Sequence, residues 1–237
     1  PSACSGLSRG FEGPCYHGLG HAFMFVTDND LNQSLKYCDY LPGVYPDSCY
    51  TGAFMENLKS KQVGNNAVHP NKFSFNSTDP DFPCKSLDTK YRGQCYRYKG
   101  INNVMQTNDS VKESMLNCLK VVSAYQDDCF QGVGSNIVGL QRSSLESGEK
   151  CNEAIEISPE AYKECIIGAM AFVVQLHLGK AEESVNFCNV IRDEYKPICY
   201  SEAGKNLGNW VSSKESLEEK CNLFLSAEAK QLCLHPI

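Results

Sequence analysis

Nowhere in the 237-residue sequence are two cysteines separated by just two residues, although the chain holds fourteen of them. That absence excludes zinc ribbons, thioredoxin-like redox pairs and c-type haem attachment. Positive charge is also in short supply. Lys and Arg total 22 against 28 Asp and Glu, a net charge of −6, so neither nucleic acid nor an anionic membrane would gain counterion release here. Long apolar runs are missing as well. The longest, Cys165 to Leu178, is interrupted by Gly168, Gln175 and His177 and falls short of the roughly 20 residues a spanning helix needs. We expect it to be a buried helix, and the chain to be soluble with no transmembrane segment. The sequence opens Pro-Ser-Ala-Cys, with neither a basic nor an apolar leader segment. The expectation is an exported protein whose signal peptide has been removed. No G-x-S-x-G elbow, HExxH, phosphate-binding loop or dinucleotide fingerprint occurs. Asp127-Asp128 and Glu182-Glu183 are neighbours that point in different directions on a helix. An enzyme is therefore the class least expected, and no cofactor is required.

What the sequence has instead is a repeated cysteine unit. In Cys118-Leu-Lys-Val-Val-Ser-Ala-Tyr-Gln-Asp-Asp-Cys129 the two cysteines are eleven positions apart, and the spacing recurs at Cys4/Cys15, Cys38/Cys49, Cys84/Cys95 and Cys188/Cys199. Looser copies stand at Cys151/Cys165 and Cys221/Cys233. Successive units follow at steps of 33 to 37 residues, except for one step of 46. A period near 34 is that of two-helix solenoid repeats, and the long step predicts an insertion at about 60–83 in an otherwise single domain spanning 1–237.

Each unit reads as two helices. Ser158-Pro159-Glu160 carries an N-cap serine, a proline at the first helical position and an acidic first turn. The helix it starts should run to about Leu178, with Gly179 ending it. The preceding helices, over Leu31 to Leu41, Ser110 to Val122, Ala181 to Ile191 and Ser216 to Leu225, carry the first cysteine near their ends. In an antiparallel hairpin the two cysteines then face each other about 1.5 turns from the bend, within the ~5.5–6 Å a disulfide requires. The expected pairs follow sequence order: Cys4 with Cys15, Cys38 with Cys49, Cys84 with Cys95, Cys118 with Cys129, Cys151 with Cys165, Cys188 with Cys199 and Cys221 with Cys233. A competing scheme joins Cys15 to Cys38 and Cys49 to Cys84, across a loop whose length varies from unit to unit. Seven disulfides require an oxidising compartment, so the chain is expected to be secreted, periplasmic or at the cell surface. Aromatics four before and one after each second cysteine, among them Tyr45, Tyr91, Tyr125, Tyr16, Tyr50 and Tyr96, read as fillers between stacked helices. Met24, Leu58, Val104, Val138 and Val174, nine after it, read as core.

By its period, its glycine and aromatic placement and its cysteine pairs, the chain resembles the tetratricopeptide and Sel1-like repeats, above all the cysteine-rich Sel1-like proteins exported by bacteria. The resemblance implies an all-α, right-handed α-solenoid of about seven helical hairpins, one disulfide in each. It also implies a non-enzymatic scaffold or protein–protein interaction module, such as an extracytoplasmic subunit of a cell-envelope or membrane-associated complex, or one that self-assembles.

Three features hold candidate sites. His17 and His21 are one turn apart on one helix face, a spacing that can chelate copper or zinc. Asp28, Asp30, Glu56 or His69 could complete such a site, and a metal-binding accessory protein is the alternative function. The insertion carries Phe73, Phe75 and Phe82, the residues of a candidate partner-binding loop. Finally, Asn32, Asn76 and Asn108 open N-x-[ST] sequons, candidates for glycosylation.

Overall fold

Capping side chains set the helix starts. The computed structural model describes residues 4, 6–7, 9–59, 73–75, 78–141 and 143–237. Among them lie twelve α-helices and no strand. In chain order these are α1 (Arg9–Val26), α2 (Leu31–Cys38), α3 (Tyr45–Lys59), α4 (Thr89–Gln106), α5 (Val111–Cys118) and α6 (Gln126–Leu140), followed by α7 (Ser144–Cys151), α8 (Pro159–Leu176), α9 (Ala181–Asn189), α10 (Lys196–Gly208), α11 (Lys214–Cys221) and α12 (Ala227–Leu234). Asp30, Ser110, Ser143, Ser158, Ser213 and Ser226 each accept a hydrogen bond from the backbone N–H three residues on. Each cap satisfies a donor that the first helical turn cannot. Gly179 (φ +73) follows the C-terminal end of α8, as its sequence position predicts.

All fourteen cysteines pair in sequence order, with Cα–Cα distances of 5.4 to 5.8 Å. The competing scheme across the variable loops is not formed. Four bridges join a short helix to the long one after it, α2–α3, α5–α6, α7–α8 and α9–α10, and a fifth joins the two short helices α11 and α12. The other two units depart from the expected hairpin. Cys4 lies ahead of α1 outside any helix, and Cys84 sits in a 3-10 turn, Cys84–Ser86.

In the third unit, described residues of the insertion occupy the place of the missing short helix. Phe75 is only 3% exposed, and Phe73 packs against the same core. The Phe73 carbonyl accepts from Asn57 (3.0 Å), and Asp81 accepts from the Tyr96 hydroxyl (2.9 Å). Lys99 stands where the other units have Ala53, Val133, Ala169 and Ala203. Its buried ammonium donates to the carbonyls of Phe75 (3.5 Å) and Phe82 (3.3 Å). A lysine can be buried there because the irregular segment has backbone acceptors that a packed helix would not offer.

The long helices run parallel and in register. Tyr45 meets Glu12, Thr51 meets His17 and Glu56 meets His21, a constant offset of 33 to 35 residues between α1 and α3. Gln131–Glu164 and Ser135–Gly168 repeat it between α6 and α8. Glycines allow the close approach. A Cβ on Gly20 would lie 2.1 Å from the Cys49 carbonyl oxygen, and one on Gly52 would lie 1.9 Å from that of His17. Gly100 with Gly132, and Gly134 with Gly168, make the same reciprocal contact between α4 and α6 and between α6 and α8. Two junctions lack the glycines. Between α3 and α4 the equivalent positions hold Phe54 and Tyr98, stacked with centroids 5.8 Å apart; between α8 and α10 they hold Met170 and Glu202. The expected interleaving of aromatics holds: Tyr16 lies against Tyr45, Tyr50 against Tyr91 and Tyr96 against Tyr125. Met24, Leu58, Val104, Val138 and Val174 are buried as core.

Candidate functional site

The stack curves until its first and later units meet. Trp210, just beyond α10, lies edge-on to Phe11 of α1 with centroids 6.0 Å apart. It is wedged against Gly10 and Gly179, where an added Cβ would come within 2.4 and 2.7 Å of its side chain. The inner faces of α1, α3, α4, α8 and α10 thereby line one cavity of about 620 Å³. Its wall mixes apolar surface with the polar groups of Glu12, His17, Thr51, Gln94, Gln175 and Asn206.

The position two after each second cysteine contributes His17 and Thr51 to this lining. His17, Thr51, Arg97 and Gln131 occupy it in four successive units. The Arg97 guanidinium donates to Gln131, whose amide donates in turn to the buried Glu164 (2.6 Å). Among the described residues, Arg97 Nε and Gln94 Oε1 are buried without a hydrogen-bond partner. Burial holds Arg97 below its ordinary value and raises Asp128 and Glu164 above theirs. Asp127, Glu160 and Glu164 bring carboxylate oxygens within 4.8 Å of one another. Lys163 sits between two of them, 2.7 Å from Glu160 and 3.2 Å from Glu164, and offsets their charge.

The two histidines singled out from sequence come together on α1. Their Nε2 atoms are 3.1 Å apart. His17 Nδ1 lies 2.8 Å from Thr51 Oγ1, and His21 Nδ1 lies 2.8 Å from Glu56 Oε2, both on α3. Burial, with the charges of His21 and Lys59 adding to it, lowers the pKa of His17 to about 4, so its ring is neutral at physiological pH. Of the residues expected to complete the site, Glu56 does contact the pair. Asp30 is engaged as the cap of α2. His69 lies outside the described residues.

The remaining candidates fall elsewhere. Phe75 is committed to the core, and Phe73 and Phe82 are half-buried. The three phenylalanines thus do not form one exposed patch, because the segment carrying them fills the gap of a missing helix. Asn108 is exposed in a turn with φ +51, Asn32 is half-buried near the start of α2, and Asn76 lies outside the described residues.

Thr51 and the Arg97–Gln131–Glu164 relay carried no sequence motif. The only signal for Thr51, Arg97 and Gln131 was that their column of the repeat stays polar through four successive units, and Glu164, one before Cys165, had none. Trp210 was marked only by being the sole tryptophan. Comparisons of the chain with protein-family models, with curated proteins and with solved structures found no match.

Proposed function

We propose that this protein is an extracytoplasmic, non-enzymatic scaffold that docks a protein partner, in the manner of the tetratricopeptide and Sel1-like repeats it resembles. The oxidising compartment follows from its seven disulfides and the absence of any free cysteine. No helix among the described residues is long and apolar enough to cross a membrane.

One observation carries the reading: a row of exposed apolar side chains along one edge of the helical layer. The long helices are parallel, so their C-terminal ends share that edge. There Phe25 and Val26 end α1, Met105 lies in the last turn of α4, Leu140 ends α6 and Leu176 ends α8, all of them exposed. Phe25 is 86% exposed. Single exposed apolar residues are ordinary, whereas a repeated row of them is the feature that marks interaction surfaces.

The test is site-specific photo-crosslinking in the envelope of the native host. A crosslinker at Phe25 or Met105 should capture one protein in stoichiometric yield, and one at Lys112, on a short helix, should not. Equal labelling from both positions would reject the edge as the docking surface.

A further inference from the structure

We propose that His17 and His21 form a chelating site for a divalent transition-metal ion, zinc or copper, with Thr51 and Glu56 as the residues that orient them. This site is independent of the docking edge. The argument starts from where the protons must be. Thr51 has one hydroxyl proton, and it donates that proton to the Ser48 carbonyl at 2.7 Å. With that proton directed at Ser48, Thr51 Oγ1 accepts from His17 Nδ1 at 2.8 Å. His17 then carries its ring proton on Nδ1 and presents a bare lone pair at Nε2.

The same reasoning applies to His21. A carboxylate accepts and does not donate, so Glu56 Oε2 at 2.8 Å fixes a proton on His21 Nδ1. In the neutral ring the second Nε2 is also a bare lone pair. Two such lone pairs 3.1 Å apart repel unless a cation lies between them, and that cation is either a shared proton or a metal.

Three features favour the metal. Each ring has its Nδ1–H anchored by an acceptor on the neighbouring helix, the arrangement that orients metal-bound imidazoles and raises their basicity. At ordinary metal–nitrogen distances of about 2.0–2.1 Å, nitrogens 3.1 Å apart subtend about 100° at the ion, between octahedral and tetrahedral values. His17 and Thr51 also line the 620 Å³ cavity, so water or a ligand's own donor atom can complete the coordination from that side. Lys59, on the last turn of α3, opposes added positive charge there. Its side chain is exposed, and solvent screens it.

The chemistry of binding is a substitution. The ion accepts both Nε2 lone pairs and expels at most one proton, the one the two nitrogens share without it; no electron is transferred.

Metal-free, disulfide-intact protein titrated with Zn²⁺, and in a second series with Cu²⁺, tests the site by calorimetry in two buffers of different protonation enthalpy. The expected result is one ion per chain with release of no more than one proton. His21→Ala should weaken binding at least tenfold, as should Glu56→Ala by removing the orienting acceptor. His177→Ala and His235→Ala should leave it unchanged. In the wild-type protein, saturation should shift the ¹⁵N resonances of both Nε2 atoms, a readout that needs no variant to fold. Absence of saturable binding up to about 1 mM, the weak limit of specific association, would overturn the site. So would an affinity indifferent to His21→Ala, or Nε2 resonances that stay those of a proton-sharing pair in excess metal.

Discussion

Ser34, Ser114 and Ser184 occupy one position in three units, each fully buried and seven residues after the turn that leaves a long helix. In two units that turn begins with threonine, and the hydroxyls meet: Thr27 with Ser34 at 2.7 Å, Thr107 with Ser114 at 2.8 Å. In the third, His177 replaces the threonine, and the Ser184 hydroxyl has no partner among the described residues. An unpaired buried hydroxyl carries a desolvation penalty with nothing to offset it. Ser114→Ala should therefore cost about 1 kcal/mol, whereas Ser184→Ala should be neutral or stabilising; urea unfolding of the oxidised protein distinguishes them. The glycines behave with a similar asymmetry. Gly18 has open space around it, so Gly18→Ala should stabilise α1 by up to about 1 kcal/mol. A Cβ on Gly132 would lie 1.8 Å from the Arg97 carbonyl oxygen, and Gly132→Ala should cost about 3 kcal/mol by forcing α4 and α6 apart. Gly18 and Gly132 share one column of the sequence repeat. Only the structure separates them, because α1 has no earlier long helix to approach.

At the scale of elements, the junction between α3 and α4 is one of the two that need other attachments, since both lack the glycine pair. Asp39, just past α2, supplies them. It accepts from the Tyr50 hydroxyl of α3 and, at 2.7 Å each, from Lys90 and Tyr91 of α4. Partial burial pushes the Asp39 carboxyl upward, but the hydrogen bonds from Lys90, Tyr50 and Tyr91 outweigh it and hold the group below its ordinary value of 3.8. A depressed folded pKa gives stability that is fully present above the unfolded value and lost as the pH falls through the folded one. Asp39→Asn should thus lower the thermal midpoint at neutral pH and flatten its decline below pH 3.8, as followed by circular dichroism. The short helices were legible from caps and cysteines, because both signals are local. The absence of a short helix in the third unit was not, because Lys99 looks like any surface lysine until the carbonyls of Phe75 and Phe82 are seen above it.

At the scale of the whole molecule, each long helix packs mainly on its sequence neighbours, so stability is a sum of units and interfaces. A disulfide closing a loop of about 12 residues contributes about 3 kcal/mol in the chain-entropy view. Replacing Cys221 and Cys233 by serine should fray only α11 and α12, while the same change at Cys118 and Cys129 should uncouple the halves of the stack. Amide exchange reads the difference as local against global loss of protection. The contact of Trp210 with Phe11 and Gly10 is the exception to nearest-neighbour packing. Because Trp210 is the only tryptophan, its emission reports on that contact alone. Phe11→Ala should shift it to the red, and Trp210→Ala should raise the radius of gyration in solution scattering.

The sequence by itself determined the repeat, the pairing of its fourteen cysteines, the helix starts and the buried columns. Those are properties of spacing along the chain and of local backbone demand, and they recur unit by unit. The tertiary structure decided how tightly successive long helices approach, that the first unit meets Trp210 beside a cavity, and that His17 and His21 each find an anchor on α3. These depend on residues 29 to 200 positions apart. Their geometry is fixed by the sum of all the helix-to-helix offsets, which no single unit encodes.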